Sequence, residues 1–147
     1  MRRLDTLLFL DLVGSPYVAD ARGPAAFDCL GLAIEMQRRL GRTVPEFVSR
    51  EEELHRQLAE GGFLAGCSRL ERAEAGCVAL FKMPRLDRER GMHHLGTMLD
   101  PFRMLHTSAQ TGGAVIESIL GPLWQLRCMG FYRLQGTGNR EQGRAGE

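Results

Sequence analysis

The chain has 147 residues, 44% hydrophobic and 25% charged, the size and balance of one soluble globular domain with its own core. Nineteen basic and 18 acidic side chains leave a formal net charge of +1, which argues against a general attraction to nucleic acid or to an anionic membrane. Four cysteines, at positions 29, 67, 77 and 128, are too sparse for a disulfide-stapled secreted scaffold and read as reduced thiols.

In chain order, "MRRLDTLLFLDLVG" opens with an uncharged run over Thr6 to Leu10, bounded by Asp5 and Asp11. The run is too short for a secretory leader or a membrane span. Leu4, Leu7, Leu8 and Leu12 fall on one helical face and predict a packed helix over 4–13, ended by Gly14 and Pro16. The expectation is a protein made in the cytoplasm without a signal peptide. Residues 18–27 read as a loop with Gly23-Pro24 as its turn. A second helix is predicted over 29–40, with Asp28 as N-cap, Leu30, Ala33, Met36 or Gln37, and Leu40 on one face, and Gly41 as its stop. A third is announced by the capping box Ser49–Glu52, with Leu54 and Leu58 following; its charges read as a solvated face.

After residue 75 the period changes. "CVALFKM" (77–83), "HHLGTML" (93–99), "FRMLHTS" (102–108) and "AVIESI" (114–119) read as short strands, the second and third joined by a tight Asp100-Pro101 turn. "PRLDRERG" (84–91) is a charged connection, and "LWQLRCMGFYRL" (123–134) holds a short helix and a last strand. Helices followed by an antiparallel sheet make an α+β domain over 1–134, with 135–147 as a flexible polar tail.

Cys29 stands out from the other cysteines because it opens a helix. The macrodipole and the unpaired N–H groups there stabilise a thiolate. Cys67 lies in an irregular "AGCS", Cys77 opens a strand, and Cys128 sits in the last apolar segment. A thiol nucleophile needs a base, and the base needs an orienting group. His55 lies in the charged third helix. His93 and His94 are strand neighbours and point to opposite faces, so only one can face a helix packed on the sheet. His94 and His106 flank the Asp100-Pro101 turn almost symmetrically and can share a face as base and orienter. A zinc site from Cys67, Cys77, His93 and His94 lacks ligand spacing. Trp124, Phe131 and Tyr132 read as core and closing contacts.

"PYVADARGPAAFDCLGLA" followed by "HHLGTMLDPFRMLHTS" resembles the NlpC/P60 family of papain-like cysteine peptidases. The matching elements are Tyr17, Asp28-Cys29-Leu30-Gly31-Leu32, His94-Leu95-Gly96 and His106, with twelve residues from Tyr17 to Cys29 and twelve from His94 to His106. Leu30, "GRTVPEF" and the Gly-Phe-Tyr-Arg close after Trp124 are similar to the phage tail-assembly branch, the K-type proteins. The resemblance implies a nucleophile helix packed on a central antiparallel sheet. It implies Cys29 as nucleophile, His94 rather than His93 as base, His106 as orienter and Tyr17 as an oxyanion donor, with no metal or cofactor. It further implies cleavage of peptidoglycan stem peptides at a phage or phage-like tail tip, in contact with other tail proteins within a virion. A structural tail-tip role with the site unused is the alternative. A cytoplasmic acyl-transfer enzyme or amidase on a permuted papain-like fold fits the Cys-before-His order less well. "VADAR" after Tyr17 replaces the family's Gly-Gly, so the groove loop is expected to differ, and "GC" at 76–77 replaces Gly-Asp, making Cys77 a small buried residue.

Overall fold

The computed structural model describes residues 3–44, 66–83 and 93–136. The third helix with His55, the 84–91 connection and most of the polar tail lie outside the described residues. Helix α1 spans Cys29–Arg39. Strands β1 (Cys67–Leu70), β2 (Val78–Lys82), β3 (His93–Met98), β4 (Arg103–His106) and β5 (Val115–Ser118) follow, then the short helix α2 (Pro122–Arg127) and β6 (Cys128–Leu134). The six strands form one sheet in the order β1-β6-β2-β3-β4-β5, and every pairing in it is antiparallel.

Two expectations are corrected. The N-terminal segment is not an α-helix but two 3₁₀ turns, Thr6–Leu8 and Leu10–Leu12. Asp5 accepts the Leu7 N–H, and successive i to i+3 bonds close from Leu8 to Asp5 and from Leu12 to Phe9. Three residues per turn bring Phe9 and Leu12 onto the core and leave Leu7 exposed. Cys67 opens strand β1, which pairs with β6 along its length, rather than lying in an irregular segment.

Helix α1 forms where the sequence marks it. The Asp28 carboxylate accepts the Gly31 N–H at 2.7 Å, and Arg38 and Arg39 lie in the last turn. Gly31 is required by close packing, since a Cβ there would run into the Ala21 carbonyl.

The sheet is covered on both faces. On one face Leu30, Ala33 and Ile34 of α1 pack with Val78, Leu80, Leu95 and Tyr132. Leu32 and Met36 pack with Leu99 and Leu105. On the other face Ala79, Phe81, Met98 and Met104 pack with Ile119, and with Trp124 of α2. Cys77 is fully buried there, as expected of a small core residue.

Candidate active site

The elements that carry Tyr17, Cys29, His94 and His106 converge at one end of the sheet. Gln37 and Arg42 both donate to the Gly76 carbonyl, which holds the C-terminal end of α1 over the start of β2. The N-terminus of α1, with Cys29, therefore points toward the opposite end, where Lys82 leaves β2 and His93 and His94 enter β3. The turn between β4 and β5 closes the same end. Tyr17 joins the two sides: its N–H donates to Gly112 of that turn, and its backbone bridges Phe27, two residues before Cys29. The carboxylate of Asp28 also accepts the Asp20 N–H and an Arg22 guanidinium, so the loop from Tyr17 to Asp28 is tied at several points.

The orientation of the histidines differs from the expectation that His94 faces the helix. Leu80 is paired with Leu95 and Phe81 with His94. Leu95 belongs to the cluster under α1. By strand alternation His93 shares that face and His94 does not. His94 is buried on the α2 face, with ring centroids 6.4 Å from Phe81, 5.0 Å from His106 and 5.7 Å from Trp124, the last nearly parallel. The physical reason is that β3 is sandwiched between two helices, so each of its faces has a partner.

The His94–His106 pairing is present as expected. Thr97 pairs with Leu105 and Met98 with Met104, so His94 and His106 lie on one face across the hairpin. His94 Nε2 is 2.8 Å from His106 Nδ1. By the same register Gly96 falls opposite His106, and a Cβ there would collide with the Met104 sulfur.

Two further groups extend the pair: Glu117, which the sequence does not single out, and Trp124, expected only as a core or closing contact. His106 Nε2 is 2.7 Å from Glu117 Oε1, and the Trp124 indole N–H donates to Glu117 Oε2 at 2.9 Å. Trp124 is therefore more than a closing contact. The available signal for Glu117 is its register: it pairs with Met104, which puts it diagonally across from His106 on the same face.

Burial, then the neighbouring His106 and Arg127 charges, push the His94 pKa well down, so its imidazole is neutral. Burial also lowers His106, against the hydrogen bond and charge of Glu117. Desolvation pushes the Glu117 carboxyl up, but the N–H groups of Trp124 and His106 outweigh it and hold the carboxyl below its ordinary range. The site thus rests as neutral rings ending on an ionised carboxylate. Elsewhere burial pushes the Cys67 thiol up to about 11 and the Cys77 thiol up to about 12, and it raises Cys128. These three are protonated thiols at neutral pH.

A cavity of about 280 Å³ opens beside His94 and His106, lined also by Ser108, Glu117, Trp124 and Arg127. Cys29 and Tyr17 are not among its lining residues. Among the described residues no group of three or more His, Cys, Asp or Glu is arranged to hold a metal ion. None of their helices is long and apolar enough to cross a membrane.

No protein-family model matches the sequence, and no curated protein matches it significantly. Solved structures do match. An NLP/P60-family protein similar to lipoprotein from Staphylococcus aureus superimposes with a TM-score of 0.64 at 20% identity, over 88% of this chain and 40% of that one. NlpC2 from Trichomonas vaginalis gives 0.63 at 17% identity, over 88% of this chain and 45% of that one. The NlpC/P60 domain of the peptidoglycan hydrolase SagA gives 0.53 at 19% identity, over 87% of this chain and 93% of that one. The chain thus spans less than half the length of the first two proteins and nearly all of the SagA domain. The likeness establishes the fold: α+β, of the NlpC/P60 papain-like type, with the helix that opens on Cys29 packed on a central antiparallel sheet.

Proposed function

We propose that this protein is a cysteine peptidase of the NlpC/P60 kind, cleaving amide bonds in peptidoglycan stem peptides. The observation that carries the reading is the bonded His94–His106 pair at the end of the sheet toward which the α1 N-terminus and Cys29 point. The fold of a domain whose own description is peptidoglycan hydrolase supports the substrate class.

In this reading the Cys29 sulfur attacks the substrate carbonyl, and its proton passes to the bare Nδ1 of His94. The oxyanion takes hydrogen bonds from the Cys29 backbone N–H and the Tyr17 hydroxyl. His94 then returns the proton to the leaving amine, leaving an acyl-enzyme, and water activated by the same imidazole releases the acid. His106 holds the His94 ring throughout. His94 is taken as the base because its Nε2 is bonded to His106, which is bonded in turn to Glu117.

The phage-branch motifs support a place in a phage or phage-like tail tip during wall penetration, among other tail proteins. The exposed Phe102, Leu120, Leu123 and Leu126 favour contact with such neighbours. They also favour the second reading, a tail component that keeps the fold with its site unused.

Mass spectrometry of defined muropeptides incubated with wild type and Cys29→Ala tests the activity. Wild type cleaves and Cys29→Ala does not, with an unchanged circular dichroism spectrum. Equal cleavage by both removes Cys29 from the reaction. Wild-type infectivity of particles carrying Cys29→Ala supports the structural role.

A further inference from the structure

We propose that Glu117 is a positioning residue, which by accepting from His106 and Trp124 together fixes the proton polarity of the histidine pair and keeps Nδ1 of His94 open. The proposal deepens the peptidase reading and rests on His94 being its base.

The two groups at the far end of the chain are each one-way. An ionised carboxylate only accepts, and an indole N–H only donates. Trp124 occupies Oε2 of Glu117, and Oε1 faces His106 Nε2 at 2.7 Å. That nitrogen must therefore carry the hydrogen. A neutral imidazole carries one, so His106 Nδ1 is a bare acceptor. His94 Nε2, 2.8 Å away, must then be the donor. The remaining nitrogen of His94, Nδ1, is left bare, and it is the atom that can take a proton from a thiol. The two histidine hydrogen bonds thus both run toward Glu117, the Trp124 bond meets them there from the other side, and the direction is set at Glu117. When Nδ1 takes up the proton, the new charge on His94 is stabilised through His106 by the carboxylate, and no proton need leave His106.

The packing supports a built arrangement. Glu117 is on β5, two residues from the position that pairs with His106. Trp124 comes back over the pair from α2, stacked on His94 and edge-on to His106 and Phe81. The carboxylate is thereby held from two sides although its side chain is 43% exposed.

Glu117→Gln keeps the shape and removes the one-way character. The amide must turn its oxygen to the Trp124 indole, so its NH₂ faces His106 Nε2 and donates to it. His106 then carries its hydrogen on Nδ1, and His94 is driven to the Nδ1-protonated form that cannot act as base. Nitrogen-15 NMR of the full chain in a Cys29→Ala background reads both tautomers without substrate. The expected result is Nε2-protonated rings at 94 and 106 with Glu117, and Nδ1-protonated rings with Gln. Glu117→Asp, still a one-way acceptor, retains the Nε2-protonated rings. With Cys29 intact, Glu117→Gln lowers kcat by about 100-fold or more while KM moves little, as expected of a misplaced tautomer.

Nδ1-protonated rings in the protein carrying Glu117 overturn the proposal, whether or not the Gln variant folds. So do tautomers unchanged by Glu117→Gln. If the tautomers invert as stated but wild type cleaves no muropeptide, the peptidase reading fails while the role of Glu117 in setting the ring protons stands. If wild type cleaves and the tautomers do not respond, the reverse holds.

Discussion

The two faces of the sheet do different work, and β3 carries both in alternate residues. Under α1 the face is mainly apolar, with His93 and Thr97 as its polar residues on β3: Leu80, Leu95 and Leu105 meet Leu30, Ile34 and Leu32. Under α2 the same strands hold a polar chain, from His94 through His106 and Glu117 to Trp124. Burying that chain has a cost, because buried polar groups must find partners and a buried imidazole cannot readily charge. The fold meets the cost by ending the chain on a half-exposed carboxylate. Both faces carry a buried apolar cluster, and the second carries the bonded polar chain as well.

The largest test of this division compares neighbours. His94→Ala is expected to lower muropeptide cleavage about 1,000-fold or more. His93→Ala, one residue away on the α1 face, is expected to retain activity within about tenfold. Kinetics of both variants against one defined muropeptide decide it. If His93→Ala is the inactive one, the base lies on the helix face and the division is wrong.

The converse test is Leu95→Ala. It removes a buried β3 side chain from beneath α1, and large-to-small core changes of this type cost about 2–5 kcal/mol. Urea unfolding should show that loss, while the folded protein at low temperature keeps its turnover. A stable but inactive Leu95→Ala would mean that α1 packing sets the site geometry directly.

These neighbours also mark what was legible beforehand. The Asp28 cap and Gly41 stop are local signals, and α1 begins and ends where they predict. The step of twelve from His94 to His106 spans a hairpin whose turn is visible in Asp100-Pro101, so their pairing is legible too. Which face they occupy was not. Alternation says that His93 and His94 diverge, but only the layers on each side of the sheet say toward what. Glu117 was hidden for the same reason. In sequence it is one carboxylate in an apolar alternation, and its role exists only once β5 pairs with β4 and α2 folds back. Near the N-terminus leucines spaced three and four apart satisfy both periods, so the sequence does not separate an α-helix from the two 3₁₀ turns.

A smaller effect follows from the pKa directions. His94 and His106 are both held below their ordinary values by burial. An unfolded histidine titrates near 6.5, so below that pH the unfolded chain takes up protons that the folded chain refuses. Stability is therefore full above about pH 6.5 and falls as pH drops toward the folded values, by up to about 1.4 kcal/mol per pH unit for each histidine. Urea unfolding at pH 7.5 and 5.5 should show wild type losing more than His94→Gln, by about 1 kcal/mol. An identical loss in both would mean that the α2 face does not disfavour charge at His94.

The smallest effect probes the seam between the two faces, where α1 begins. Asp28 is almost fully buried, and its oxygens accept from Gly31 N, Asp20 N and Arg22 Nη1. It caps the helix and at the same time holds the loop that carries Tyr17. Asn keeps one acceptor for Gly31 but turns an NH₂ toward the Asp20 N–H and the Arg22 cation, where only an acceptor fits. Asp28→Asn should therefore preserve most of the capping and cost about 1 kcal/mol, whereas Asp28→Ala loses the cap as well and costs about 2 kcal/mol. The two variants separate the jobs. If the loop matters to the thiol, both should slow the alkylation of Cys29 by iodoacetamide or broaden its response to pH. If only the helix end matters, Asp28→Asn should alkylate like wild type and Asp28→Ala should not. The result would show whether Cys29 depends on α1 alone or also on the loop that joins it to the His94 side of the sheet.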